Sequence, residues 1–363
     1  MNKQQIYYPG LNGIRAIAAL TVLIFHIDLV LPAFGLQEIG FHRNNMAGYG
    51  VIMFFVLSGF LITSLLLHEK SHTENISIKN FYVRRILRIW PLYYWAILIA
   101  FVLLLLNIFT LNKHSYFFFY LFFIPNVAFA TKMTILPISP LWSVGVEEQF
   151  YAFWPWLVKF SNKLINKLVL VIMLYFFVKL IARFTNGVFY DFVNISAFDC
   201  MAIGGIGAIW VFDKEKYRRI LKIVYNKFVQ ILAWFVLFIS FIYKPIHLFS
   251  FIDQEINALI YLILIINVSS NPNTLISLEN NFFDFIGKIS YGIYVYHFII
   301  IVGLSHFLKH KFPDNFWGYL TVFVLIIFST IFISYISYKY LEKWFLNRKV
   351  KYSYIVSKYA KKE

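Results

Sequence analysis

The chain has 363 residues, of which 60% are hydrophobic and only 14% charged, against roughly 25% charged residues in soluble domains. That balance excludes a mainly water-solvated protein and leaves no room for a sizeable soluble domain. The net charge of +16 does not point to nucleic acid, because the Lys and Arg residues sit in short connections and do not form one face; such loops mark the cytoplasmic side of a membrane and favour anionic lipid.

The polar segment 1–13 carries a single Lys, and the apolar run after it is too long for a cleaved signal peptide, so the first span is expected to stay in the protein. A helix needs about 20 mostly apolar residues to cross a bilayer core. By that measure candidate spans lie at 14–34, 48–67, 90–111, 115–131, 143–160, 167–184, 196–212, 228–245, 256–270, 286–308 and 317–341. The basic connections 79–88, 159–167 and 214–227 and the tail from Lys343 are expected to face the cytoplasm. Placing both 79–88 and 159–167 inside requires an even number of crossings between them, so one of the three candidates there must not cross. The segment 115–131, with Pro125 and Asn126 in its middle, is read as re-entrant or interfacial. The expected fold is an all-α integral membrane bundle of about ten transmembrane helices with both termini cytoplasmic. A membrane domain over 1–346 is expected to be followed by a basic cytoplasmic tail, 347–363. No internal repeat supports an inverted-repeat transporter. The single cysteine, Cys200, excludes an internal disulfide and the usual multi-cysteine metal sites.

Ionisable residues within the apolar segments are few, and each is a functional candidate. Arg15 and His26 are eleven residues apart, close to three helical turns, so both project from one face with His26 roughly 16 Å deeper. A neutral imidazole there suits proton transfer from a hydroxyl, or a plain hydrogen bond between helices. His297 reaches a similar depth, which allows both rings to share one buried pocket. Arg85 and Arg88, three apart, form either two forks for a phosphate-rich ligand such as coenzyme A or a positive-inside anchor. Glu147 and Glu148 enter an apolar helix together, and at least one is expected to face a wet pocket, where it would orient or charge-balance an imidazolium. Trp142 and Tyr151 beside them suit stacking on a sugar ring. Two further features are weaker. His68-Glu69-Lys70-Ser71-His72 matches a zinc-protease pattern but is expected in a polar loop, with Lys70 inside it and no third ligand evident. Asp28 is expected to mark the outer end of the first helix.

Together these segments resemble the acyltransferase-3 family of bacterial membrane proteins along nearly the whole chain. Leu11-Asn12-Gly13-Ile14-Arg15-Ala16 with His26 is similar to the family's Arg, ten residues, His signature. Gly50-Val51, the run from Phe54 to Thr63, Arg85 and Arg88 with Pro91 and Tyr93, Leu141-Trp142-Ser143 and Glu147-Glu148-Gln149-Phe150-Tyr151 follow in order. Ser290-Tyr291-Gly292, Tyr294 and His297, then Tyr340-Leu341-Glu342-Lys343, match the closing segments. Asn12 and Ile52 depart from the pattern, where relatives often carry an acidic residue. The resemblance implies ten core helices, a cytoplasmic acyl-CoA donor, an acceptor hydroxyl on an envelope glycan or its lipid-linked precursor, and a place in the bacterial cytoplasmic membrane. Many relatives carry an extra esterase-like domain after the membrane core. This chain stops about twenty residues past its last span and is expected to act alone or with separate partners.

The mechanism that follows places the phosphates of acetyl-CoA on Arg85 and Arg88 and its thioester at His26. His26 then acts as general base or takes the acetyl group, with Glu147 and Arg15 setting its tautomer and charge. Trp142, Tyr151, Tyr294 and His297 are the expected substrate contacts, and no metal is expected. The rival readings are a glycan-precursor transporter or flippase without acyl transfer, and an intramembrane metalloprotease built on His68 and His72.

Overall fold

In lipid a chain must satisfy its backbone polar groups within each segment, so the apolar runs fold as helices. The computed structural model describes residues 4–40, 46–185, 187–242 and 252–356. Three long helices come first, α1 (Leu11–Val30), α2 (Met46–Thr73) and α3 (Ile78–Leu105). Two short ones, α4 (Phe117–Leu121) and α5 (Pro125–Ala130), lead to α6 (Trp142–Phe160) and α7 (Leu164–Ala182). Then follow α8 (Val188–Ser196), α9 (Phe198–Phe212), α10 (Arg218–Val224), α11 (Lys227–Ile242) and α12 (Asp253–Ser270). The chain closes with α13 (Asn281–Phe307), α14 (Phe316–Ser337) and α15 (Lys343–Lys349). Outside the helices, one short parallel pairing sets Gln4 against Ile355 and Gln5 against Val356.

Among the described residues, seven helical segments are long and apolar enough to cross a membrane, or eight if α10 and the start of α11, bent by 53°, form one span. The expected ten is not reached by this measure. Two expected crossings fall short for chemical reasons. Helix α6 carries Glu147, Glu148 and Lys159 within 19 residues, and α12 opens on Asp253, Gln254 and Glu255 with only 18 residues in all. Residues 115–131 form no single helix. They break between α4 and α5, where Phe123 takes a φ of 56°. Pro125 docks on α6 so closely that a Cβ at Gly145 would lie 2.5 Å from its Cδ. Asn126 and Gln149 exchange amide hydrogen bonds of 3.1 and 2.8 Å, which fixes the broken segment to α6.

Small residues let the central helices approach backbone to backbone. Helices α2 and α9 share the most extensive contact; a Cβ at Gly59 would stand 1.9 Å from the Met201 carbonyl oxygen, and one at Gly204 2.0 Å from that of Val56. Between α1 and α13, a Cβ at Gly287 would stand 2.3 Å from Asn12 O. Of the apolar window of α13, 83% is buried, against 17% for α7, so α13 lies at the centre and α7 on the rim.

The last described residues are tied in. Helix α15 packs on α3, and the buried Arg84 donates to Tyr352 O at 2.8 Å and to Glu69 Oε2 at 2.7 Å. The division expected after residue 346 falls inside α15, and residues 357–363 of the expected tail lie outside the described residues.

Candidate active site

Five helices line one cavity of about 140 Å³, which gathers the three predicted cations and one of the two predicted carboxylates. Arg15 comes from α1, Ser58 from α2, Arg85 and Arg88 from α3, and Glu147, Tyr151 and Ser143 from α6, while Tyr291 and Tyr294 of α13 close one side. The i, i+3 spacing of Arg85 and Arg88 turns both toward the cavity, as their sequence positions predict. Arg85 lies over the Tyr151 ring at 5.6 Å and Arg88 over the Tyr291 ring at 5.9 Å. Arg15 donates to Asn12 Oδ1 at 2.9 Å. Among the described residues none of these three guanidinium groups pairs with a carboxylate, and the Nε of Arg85 is buried with no hydrogen-bond partner. Lys349 of α15 and Arg84 add positive potential around them. The site is prepared for an anion.

Glu147 accepts from the Tyr151 hydroxyl at 2.9 Å, and Tyr151 is in turn hydrogen-bonded to Ser58. Since the phenol gives its one proton to Glu147, Ser58 donates to the phenol oxygen. Glu148 leaves the cavity; its Oε2 accepts from Trp90 Nε1 at 3.0 Å and its Oε1 is buried without a partner. Trp142 does not line the cavity either. Its half-buried ring packs on Phe129 at 5.3 Å and edge-on to Phe55 at 6.3 Å.

His26 and His297 do meet, with Nε2 of His297 3.2 Å from Nδ1 of His26, but neither lines the cavity that the arginines line. Tyr294 stands between. Its hydroxyl donates to Pro140 O at 2.8 Å and accepts from Ser143 Oγ at 2.6 Å. Its ring lies 5.8 Å from Phe54 on one side and 5.8 Å from His297 on the other. The expectation that Glu147 and Arg15 set the tautomer of His26 therefore fails: the ring nitrogen of His26 that has partners meets Val22 O and His297. His26 is half-buried, and Phe298 covers one edge of it at 5.0 Å.

The secondary candidates resolve into structural roles. His68 to His72 lies in the last turns of α2 and not in a loop. Glu69 is committed to Arg84 and to the Ser77 amide at 2.9 Å, and His68 lies 3.3 Å from the Tyr8 hydroxyl. No three metal-binding side chains gather among the described residues. Asp28 is buried and accepts from the Ile39 amide at 2.8 Å and the Gly40 amide at 3.2 Å. Sequence reasoning missed Lys179, which holds Asp199 at 2.9 Å and Glu255 at 2.7 Å; its partners come from two other helices, and no local spacing announces them. It placed Glu342 only in the closing segment and gave it no role at the site, where it is a buried carboxylate in electrostatic reach of Arg88 with neither oxygen hydrogen-bonded. The signal for Glu342 was a lone acid closing an apolar helix.

The acyltransferase-3 family, described as an acyltransferase domain, matches residues 8–339. The chain belongs to this family. Within the acyltransferase-3 family it is similar to the peptidoglycan O-acetyltransferase OatA of Listeria monocytogenes, with 28% identity over 93% of this chain and 55% of that protein. It is also similar to the O-acetyltransferase OatA of Staphylococcus aureus, with 27% identity over 93% of this chain and 57% of that protein. The chain thus spans little more than half the length of these relatives. No solved structure gives a significant match.

Proposed function

We propose that the protein is a membrane-embedded O-acyltransferase that moves an acetyl or similar short acyl group from acyl-CoA on the cytoplasmic side to a hydroxyl of a cell-envelope glycan, peptidoglycan or a lipid-linked precursor. One observation carries the reading. Arg15, Arg85 and Arg88 converge on one cavity without a carboxylate partner among the described residues, an arrangement that calls for a polyanionic ligand such as the phosphates of coenzyme A. Both O-acetyltransferases named above align with 93% of the chain. The orientation that fits is ten crossings, counting α6, α12 and the bent α10–α11 pair, with both termini cytoplasmic and the arginines opening inward.

A cavity of about 140 Å³ is close to the engineered 150 Å³ cavity that holds one benzene, so it takes a slender part of the donor and not the whole molecule. The phosphates stay with Arg85 and Arg88, and the pantetheine arm runs past Tyr294 and Ser143 toward His26. His26 takes the proton of the acceptor hydroxyl as that oxygen attacks the thioester carbonyl, or carries the acetyl group itself. Glu147 and Tyr151 belong to the donor chamber, where their hydrogen-bond chain to Ser58 orders its wall.

Protein purified in nanodiscs and given acetyl-CoA labelled in the acetyl group tests this. Saturable donor binding and transfer to a glycan hydroxyl are expected, with transfer abolished in His26→Ala. A protein that neither binds nor slowly hydrolyses the donor is a transporter, and the reading is then wrong.

A further inference from the structure

The protonation of the two imidazoles follows from their neighbours. Nδ1 of His297 faces two carbonyl oxygens, Tyr294 O at 2.7 Å and Ile293 O at 3.1 Å. That nitrogen therefore carries the hydrogen, and in a neutral ring Nε2 is left as an acceptor. This acceptor lies 3.2 Å from Nδ1 of His26. Two bare nitrogens at that distance repel, so Nδ1 of His26 bears a hydrogen; Val22 O, 2.8 Å from the same nitrogen, requires it too. The lone pair of His26 is then on Nε2. A positive charge on His297 would set two N–H groups against each other, and among the described residues no carboxylate pairs with that fully buried ring.

We propose that His297 is a positioning residue that, together with the Val22 carbonyl, holds His26 in the Nδ1–H tautomer, leaving Nε2 of His26 as the base. The role is distinct from the substrate contact its sequence position suggests, and it rests on the reading of His26 as the residue that takes the proton. In the transfer, the hydroxyl proton of the acceptor moves to Nε2 while its oxygen bonds to the thioester carbon. The carbon–sulfur bond breaks, and the same proton passes from Nε2 to the leaving thiolate to give the CoA thiol. During the interval His26 is an imidazolium whose Nδ1–H points at the free lone pair of His297. His297 neither gains nor loses a proton. It does the orienting work that a buried carboxylate does in a Ser-His-Asp triad, without placing a second ionised group in the apolar interior.

The test uses the full chain in nanodiscs with ¹⁵N-labelled histidine, the His26 signals being identified by their loss in His26→Gln. The wild-type protein is expected to show a pyrrole-type Nδ1 and a pyridine-type Nε2 at His26. In His297→Ala the Nδ1–H of His26 keeps Val22 O as its one remaining acceptor, so the His26 signals should shift in part toward the other tautomer, and kcat should fall about a hundredfold with the KM for acetyl-CoA within about twofold. His297→Gln, whose amide oxygen accepts the same Nδ1–H, should hold the tautomer and recover roughly a tenth of wild-type kcat. A pyrrole-type Nε2 at His26 in the wild type, or an unchanged tautomer and rate in His297→Ala, overturns the assignment. Full activity in His26→Ala would instead sink the base reading beneath it, a result that the tautomer spectra do not depend on.

Discussion

Three guanidinium groups around one small cavity repel one another unless something negative lies among them. Glu147 answers only part of that charge, since it is bonded to Tyr151 and pairs with none of the three. Arg85→Lys and Arg88→Lys keep the charge and lose the planar fork. Each is expected to raise the KM for acetyl-CoA about tenfold with a smaller change in kcat, measured by steady-state transfer. Tyr294 makes a separate prediction. Tyr294→Ala removes the ring between the cavity and the histidines together with both hydrogen bonds of its hydroxyl. It should raise hydrolysis of acetyl-CoA in the absence of acceptor by roughly tenfold, on the order of one such barrier contact. Labelled acetate released over time reads this, and an unchanged rate would remove Tyr294 from the path.

The elements that hold these residues were unevenly legible. The apolar runs of α1, α2, α3, α13 and α14 announce themselves, and so does the inward turn of Arg85 and Arg88, because each depends on spacing within one segment. The end of α2 was misread because the polar residues from His68 to Thr73 continue the helix beyond its apolar run. The barrier at Tyr294 could not be read, since it is made by side chains of α2, α6 and α13 that only the packing brings together. The Lys179 cluster belongs to the same class. With Lys179 and Asp199 buried and Glu255 14% exposed, Lys179→Met leaves two carboxylates without their cation. It should cost about 3–5 kcal/mol of stability, seen as a lowered thermal transition in detergent. Restoring neutrality with Asp199→Asn and Glu255→Gln should recover much of that loss. At the α2–α9 contact, Gly204→Val drives two backbones apart and should destabilise the fold by at least about 3 kcal/mol, above the usual cost of overpacking.

At the scale of the whole molecule, the closing segment acts as a strap across the end of the bundle where the arginines open. Arg84 links Glu69 of α2 to Tyr352, and α15 brings Lys349 within electrostatic reach of Arg15, Arg85 and Arg88. Truncation after Lys349 removes the Tyr352 contact and the pairing with the first strand. A loss of about 2 kcal/mol is expected for the charged hydrogen bond and its strand, together with faster proteolysis at the α2–α3 connection. An unchanged proteolysis pattern would show that the strap carries no load.

The parallel pairing of Gln4 with Ile355 and Gln5 with Val356 also sets the parity of the chain. Two ends that lie side by side share one compartment, so the polypeptide must leave that face and return to it a whole number of times. Such a pairing calls for an even total, which the ten crossings proposed above satisfy and a count of seven does not. Reporter enzymes fused before residue 4 and after residue 356 must therefore light up, or stay dark, together.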